Sequence, residues 1–171
     1  MWRATVKRAL LRDGSSMLKW LWVSVLVIVL DQLSKVAAEQ VLGDGGVIAL
    51  LPVLDLRLAY NTGAAFSMLE HAGGWQQVLF SVIGVAVSGF IIWYLRRLDR
   101  SQWLLALGMS LILGGAIGNL YDRLTMSKVV DFIHVFYQNH HFPVFNLADS
   151  AITLGAALLI VDAIFFEGKR A

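Results

Sequence analysis

Four long apolar runs divide this chain, each close to the roughly 20 helical residues needed to cross about 30 Å of hydrocarbon. They predict membrane-spanning helices at approximately 17–38, 75–95, 102–121 and 147–166. Connections 39–74 and 122–146 are longer and more polar, whereas a short basic joint containing Arg96, Arg97 and Arg100 links spans two and three. Within the first connection Leu54, Leu56 and Leu58 alternate with polar or small residues, and that period of two predicts a strand. Gly43, Gly45 and Gly46 before it, and Gly63, Gly73 and Gly74 after it, supply turns. The second connection carries Phe132, Phe136, Tyr137, Phe142 and Phe145, a composition suited to an interfacial layer. The expected architecture is an all-α membrane protein, one membrane-embedded domain over 1–171, with a small sheet resting on the membrane surface.

Composition agrees with that pattern, since 58% of residues are hydrophobic and only 15% charged, unlike a soluble or a disordered chain. The first span needs one more argument, because its purely apolar part from Trp20 to Leu30 is short and Val36-Ala37-Ala38 resembles a small-residue cleavage site. Asp31 and Lys35 interrupt the apolar region where a signal peptide would be cleaved, so the segment is expected to stay as a span. Absence of cysteine removes disulfides, thiol catalysis and thiolate-bound metal. The net charge of +2 does not point to nucleic acid, because the basic residues flank apolar runs instead of lining a polar face.

Those basic residues set an orientation. Arg3, Lys7, Arg8, Arg12 and Lys19 precede span one, the three arginines join spans two and three, and Lys169 and Arg170 follow span four. By the positive-inside rule both termini are expected in the cytoplasm, with the two long connections outside and Asp31, Asp131 and Asp149 at the outer side. Gly114 with Gly118, Gly84 with Ser88, and Ala151 with Gly155 form small-xxx-small pairs, read as close helix packing.

Carboxylates in such apolar surroundings are costly and call for a reason. Asp131, expected in a loop, and Asp149, expected on a helix, are the leading candidates. Two neighbouring carboxylates cannot both ionise easily, so one keeps a proton while the other can draw a proton from water, the minimum for aspartic peptidase chemistry. On pattern alone a proton relay or ion site remains equally open. Asp31 and Lys35, four apart, fit either a polar network or an interfacial pair with a snorkelling lysine. Asn119 and Arg123 stack one turn apart at the end of span three, and the adjacent Asp122-Arg123 suggests a structural clamp. Asn146, three before Asp149, is placed to cap the fourth helix or to orient a carboxylate. Asp162 falls at the other end of that helix and is expected to be solvated or snorkelling. His71, His134, His140 and His141 form no metal-ligand pattern, and neither a Gly-x-Ser-x-Gly elbow nor a phosphate-binding glycine loop is present.

Five motifs in order resemble the lipoprotein signal peptidase (type II signal peptidase) family: Asp31-Gln32-Leu33-Ser34-Lys35; Tyr60-Asn61-Thr62-Gly63-Ala64-Ala65-Phe66-Ser67; Gly114-Gly115-Ala116-Ile117-Gly118-Asn119-Leu120-Tyr121-Asp122-Arg123; Val129-Val130-Asp131-Phe132; and Phe145-Asn146-Leu147-Ala148-Asp149-Ser150-Ala151. The resemblance implies an aspartic endopeptidase of the bacterial inner membrane with Asp131 and Asp149 as the catalytic dyad. It implies cleavage of prolipoproteins just before a diacylglyceryl-modified cysteine, without metal or organic cofactor. Asp31, Lys35, Asn61, Gly115, Asn119, Arg123 and Asn146 match positions that shape or support the site. A short interfacial helix beside the periplasmic sheet is also implied, and the expected partners are prolipoprotein substrates and membrane lipids, with a monomeric enzyme. Two other readings compete: a proton-coupled transporter or channel using the same carboxylates as a relay, and an assembly factor whose polar residues only pack helices.

Overall fold

The computed structural model describes residues 17–43, 45–62 and 75–166. Among them are four helices long and apolar enough to cross a membrane. Helix α1 (Leu21–Leu42) follows a 3-10 turn at Met17–Trp20, α2 is Trp75–Leu95, α3 (Trp103–Met126) follows a 3-10 turn at Arg100–Gln102, and α4 is Leu147–Phe165. Helices α1 and α3 run past the expected ends at Ala38 and Tyr121, because polar residues such as Glu39 and Asp122 end the apolar run without ending backbone hydrogen bonding. Each stops at a residue with positive φ. Gly43 (φ 49°) donates its N–H to Glu39 O, and Ser127 (φ 58°) donates to Arg123 O, turning the chain into the next strand.

The burial pattern is inverted relative to a soluble protein. Leu33, Val78, Val82, Ile160 and Ile164 lie on the outside, while Ser24, Asp31, Lys35, Ser110, Asn119 and Asp122 are enclosed. Such a surface would be unfavourable in water but matches hydrocarbon, with the ionisable groups turned toward the bundle interior. Helix α3 is central and touches each of the other three, whereas α2 packs on α3 and on the Met17–Trp20 turn. Contact between α3 and α4 depends on missing side chains: a methyl at Gly155 would lie 2.5 Å from Gly108 O, and one at Gly108 would lie 2.9 Å from Gly155 O. At Gly114 a methyl would meet Val27 Cβ at 2.7 Å, so the expected close approach exists there too. Gly84 differs, since its nearest neighbours are Leu120 side-chain atoms at an ordinary 3.7 Å.

A four-stranded antiparallel sheet, β1 (Val47–Leu51), β2 (Leu54–Asn61), β3 (Val129–Tyr137) and β4 (His140–His141), has its strands in chain order. The alternating leucines do form a strand, β2. The aromatic second connection is more ordered than expected, so Asp131 sits in β3 and not in a loop. Its strand signal was masked because Val129 to Phe132 are all buried, which removes the alternation of a half-exposed strand. Residue pairs Asp55 with His134 and Ala59 with Asp131 face each other, with a register shift between Leu56 and Ala59. Asp162 is a further correction: it is enclosed in the structure, not solvated. Among their described residues the two long connections contain strands and no α-helix. Gly63, Gly73, Gly74, His71, the second half of the Tyr60–Ser67 motif and the terminal basic residues lie outside the described residues.

Candidate active site

The start of α4 organises the polar interior. A helix leaves its first N–H groups without intrahelical partners, and Asn146 meets that need at the N-cap. Its Oδ1 accepts from Asp149 N at 2.9 Å, while Asp149 Oδ2 reaches back toward Asn146 N at 3.4 Å, a reciprocal capping box. Asn146 therefore does both jobs foreseen for it, because its Nδ2 donates to Asp131 Oδ1 at 2.7 Å. That same nitrogen lies 3.1 Å from Asn119 Oδ1 and 3.3 Å from Val130 O. One fully enclosed amide thus joins β3 to the first turn of α4 and touches both candidate aspartates.

Asp149 also accepts Asn119 Nδ2 at 2.7 Å, so α3 supplies a donor to the carboxylate on α4. Asp131 is almost wholly enclosed and receives a hydrogen bond from Asn61 on β2. Burial, reinforced by the negative charge of Asp149, pushes the Asp131 carboxyl up to about 7, against the opposing pull of the Asn61 and Asn146 hydrogen bonds. A carboxyl so placed holds a proton near neutrality.

Behind this pair lies an ionic layer. Lys35 Nζ is 2.7 Å from Asp31 Oδ2 and 2.8 Å from Asp122 Oδ2, and it donates to Asn119 Oδ1 at 3.1 Å. Gln32 Nε2 adds a bond to Asp122 Oδ1 at 2.8 Å. The Asp31-Lys35 pair is thus part of a buried network and not a snorkelling interfacial pair. Asp31 Oδ1 accepts from Ala148 N at 2.9 Å, so a carboxylate on α1 satisfies another free N–H of α4 and places negative charge at that helix's positive end. Two residues outside the expected set, Asp122 and Gln32, complete the layer. Asp122 had a visible neighbour in Arg123, but its carboxylate goes to Lys35 instead, so the expected Asp122–Arg123 clamp is replaced. Its distant partner is not readable from adjacency.

Arg123 Nη1 donates to Asn119 O at 3.3 Å, and its guanidinium lies 5.4 Å from the centre of the Phe80 ring. It remains within electrostatic reach of Asp149, Asp131 and Asp122. Gly115 acts through packing, because a methyl there would collide with Ala148 O and come 2.7 Å from Ile152 Cγ1, forcing α4 away. The structure therefore brings Asp131, Asp149, Asn61, Asn119 and Asn146 together, sets Asp31 and Lys35 one layer behind, and puts Gly115 at the helix contact that holds them.

Asp131 and Asp149 border one cavity of about 1130 Å³. Its wall runs from Arg57, Tyr60 and Asn61 through His141, Phe142 and Phe145 to Ser150, Thr153, Leu154 and Ala157. Ala157 lies about 12 Å along α4 from Asp149 at 1.5 Å per residue, so the cavity extends from the sheet into the depth of the spanning helices. Among the described residues no group of three or more acidic or histidine side chains is arranged to hold a metal.

Apolar helices enclosing a carboxylate pair that opens on a large cavity fit a multi-pass membrane protein with a buried acidic site. Similarity to known proteins narrows this class. A family model described as signal peptidase (SPase) II matches residues 23–165, and the chain belongs to that family of membrane peptidases. A lipoprotein signal peptidase of Pseudoalteromonas translucida is 49% identical over 90% of this chain and 92% of its own length. One from Acinetobacter baumannii is 49% identical over 96% and 93%, and one from Pseudomonas aeruginosa is 49% identical over 92% and 94%. A solved bacterial membrane enzyme superposes with a TM-score of 0.75 at 26% identity, covering 87% of this chain and 92% of that one. The transporter reading has no support among these relatives.

Proposed function

We propose that this protein is an aspartic endopeptidase that removes the signal peptide from diacylglyceryl-modified prolipoproteins, with Asp131 and Asp149 as its catalytic dyad. The observation that carries this reading is the pair of carboxylates on one cavity, with Asp131 raised to about 7 beside Asp149. Asp131 holds the shared proton. Asp149, in the first turn of α4 and bonded to Asn119, is the carboxylate that takes a proton from water. The water oxygen attacks the scissile carbonyl carbon as Asp131 gives its proton to the carbonyl oxygen, forming a gem-diol. Asp149 then protonates the departing nitrogen, Asp131 recovers a proton from a gem-diol hydroxyl, and the C–N bond breaks. The dyad ends in its starting state and needs no metal.

Substrate chemistry fits the shape of the cavity. A lipid-modified substrate presents its scissile bond near the membrane surface with acyl chains below it, and the cavity joins the sheet to Leu154 and Ala157 on a spanning helix. Lys19 before α1 and Arg96, Arg97 and Arg100 between α2 and α3 support cytoplasmic termini and, for an inner-membrane protein, a site near the periplasmic face. Purified Asp131→Asn and Asp149→Asn proteins should melt near the parent temperature yet leave a diacylglyceryl prolipoprotein uncleaved. Near-normal cleavage by either variant would remove the dyad assignment.

A further inference from the structure

The sheet wall of the cavity holds a second cluster of titratable side chains that the dyad does not use. Asp55 and His134 are cross-strand partners, with Asp55 Oδ1 3.0 Å from His134 Nδ1. His134 Nε2 in turn lies 3.1 Å from His141 Nδ1. Arg57 closes the acidic end through Nε to Oδ1 at 2.8 Å and Nη2 to Oδ2 at 2.5 Å. Those guanidinium bonds hold the Asp55 carboxyl below its usual range, with His134 acting in the same direction against burial.

The charge of Asp55 dictates the rest of the chain. An ionised carboxylate only accepts, so His134 Nδ1 carries the hydrogen and, in the neutral ring, Nε2 is left as an acceptor. His141 Nδ1 must then donate to it. With both rings neutral, the outermost nitrogen, His141 Nε2, is a lone-pair acceptor whose identity is set two residues away. The ring planes agree with that bond: His134 and His141 are nearly parallel, 5.2 Å apart at 8°, and meet edge to edge through the 3.1 Å nitrogen contact, while Phe136 stacks on His134 at 5.2 Å. His134 is enclosed and His141 exposed, and both border the cavity that contains Asp131 and Asp149. The register shift in β2 and the double donation of Phe132 N and Ile133 N to Phe145 O break strict alternation here, consistent with Asp131 and His134 opening on one space.

We infer that His141 is a further substrate-binding residue, with Nε2 accepting a main-chain N–H of an extended peptide in the cavity. His134 and Asp55 are positioning residues that act through its tautomer. This rests on the peptidase reading and deepens it by assigning the sheet side of the cavity to the peptide main chain, opposite the carboxylate on α4.

The full chain in detergent, with a diacylglyceryl prolipoprotein peptide, provides the test. His141→Phe keeps an aromatic ring at the cavity wall but lacks the acceptor, and its KM should rise about 3- to 10-fold, the size of one neutral hydrogen bond, with kcat little changed. His134→Phe should give the same split. His141→Gln retains an acceptor and should recover most of the affinity that His141→Phe loses, whereas Asp55→Leu, which cannot accept from His134 Nδ1, should raise KM as His134→Phe does. In the uncleaving D131N background, His141→Phe should weaken peptide binding by the same factor. An unchanged KM and Kd in His141→Phe, or a fall confined to kcat, would overturn the assignment. Cleavage by D131N itself would instead refute the dyad, and the Kd comparison would still report on His141.

Discussion

Asn146 carries two functions that a single substitution can separate. Replacement by Ala removes the N-cap, about 1 kcal/mol, and leaves Val130 O and Asn119 Oδ1 without this enclosed donor, about 1–3 kcal/mol more. Ser caps a helix as well as Asn does but is too short to reach Asp131 from the same position. Asn146→Ser should therefore melt above Asn146→Ala while sharing its catalytic defect. Loss of a bond to a carboxyl group that ionises corresponds to about 1.5–3 kcal/mol, or roughly 10- to 150-fold in kcat/KM.

The pH profile gives the sharper sign. Asn146 lowers the Asp131 value that burial and Asp149 raise to about 7, so removing it should raise that value further. In the proposed mechanism Asp131 acts with its proton on, so activity of the parent should fall as pH climbs through about 7, and in Asn146→Ser the fall should move to higher pH. Cleavage of the lipidated peptide across a pH series, with melting curves in the same detergent, measures both effects. A limb that stays in place or moves to lower pH would refute the coupling of Asn146 to Asp131, and equal melting of the Ser and Ala variants would refute the cap.

Asp131 binds its proton more tightly in the folded protein, at about 7, than at its ordinary 3.8, so its stabilising contribution is full below 3.8 and lost as pH rises through about 7. Melting temperature should decline across that window, and Asp131→Asn should flatten the decline. Lys35→Met leaves Asp31 and Asp122 enclosed without their cation and should destabilise by about 3–5 kcal/mol; adding Asp122→Asn should restore part of the loss in melting temperature and yield. Gly115→Ala should lower both melting temperature and cleavage because its methyl meets the α4 backbone, whereas Gly84→Ala, with only ordinary contacts, should leave both near the parent.

Legibility in the sequence followed the range of each interaction. The four helices were visible because twenty apolar residues form a local signal, and Asn146 three residues before Asp149 is a local capping pattern. Strand β3 was hidden because a strand enclosed on both faces loses its period of two. The roles of Asp122, Gln32 and Asp31 were hidden for another reason: their partners lie 90 or more residues away or on another helix, as with Gln32 to Asp122 and Asp31 to Ala148. Nothing adjacent in the chain indicates that a carboxylate on α1 caps α4.

That long-range cap has a mechanical consequence for the proposed dyad. Asp131 and Asp149 come from different elements, and each is fixed by an amide that also belongs to the other's support: Asn146 bonds Asp131 while capping α4, and Asn119 bonds Asp149 while accepting from Asn146 and Lys35. A shift of α4 relative to α1 would break the Asp31 bond to Ala148 N and displace Asp149, while a shift of β3 would strain the Asn146 bond to Asp131. In hydrocarbon, where the apolar effect does little to hold helices together, close glycine contacts and enclosed polar bonds carry that burden. The ionic layer of Asp31, Lys35 and Asp122 is therefore better understood as the brace that fixes the relative position of the two carboxylates than as a second reactive centre.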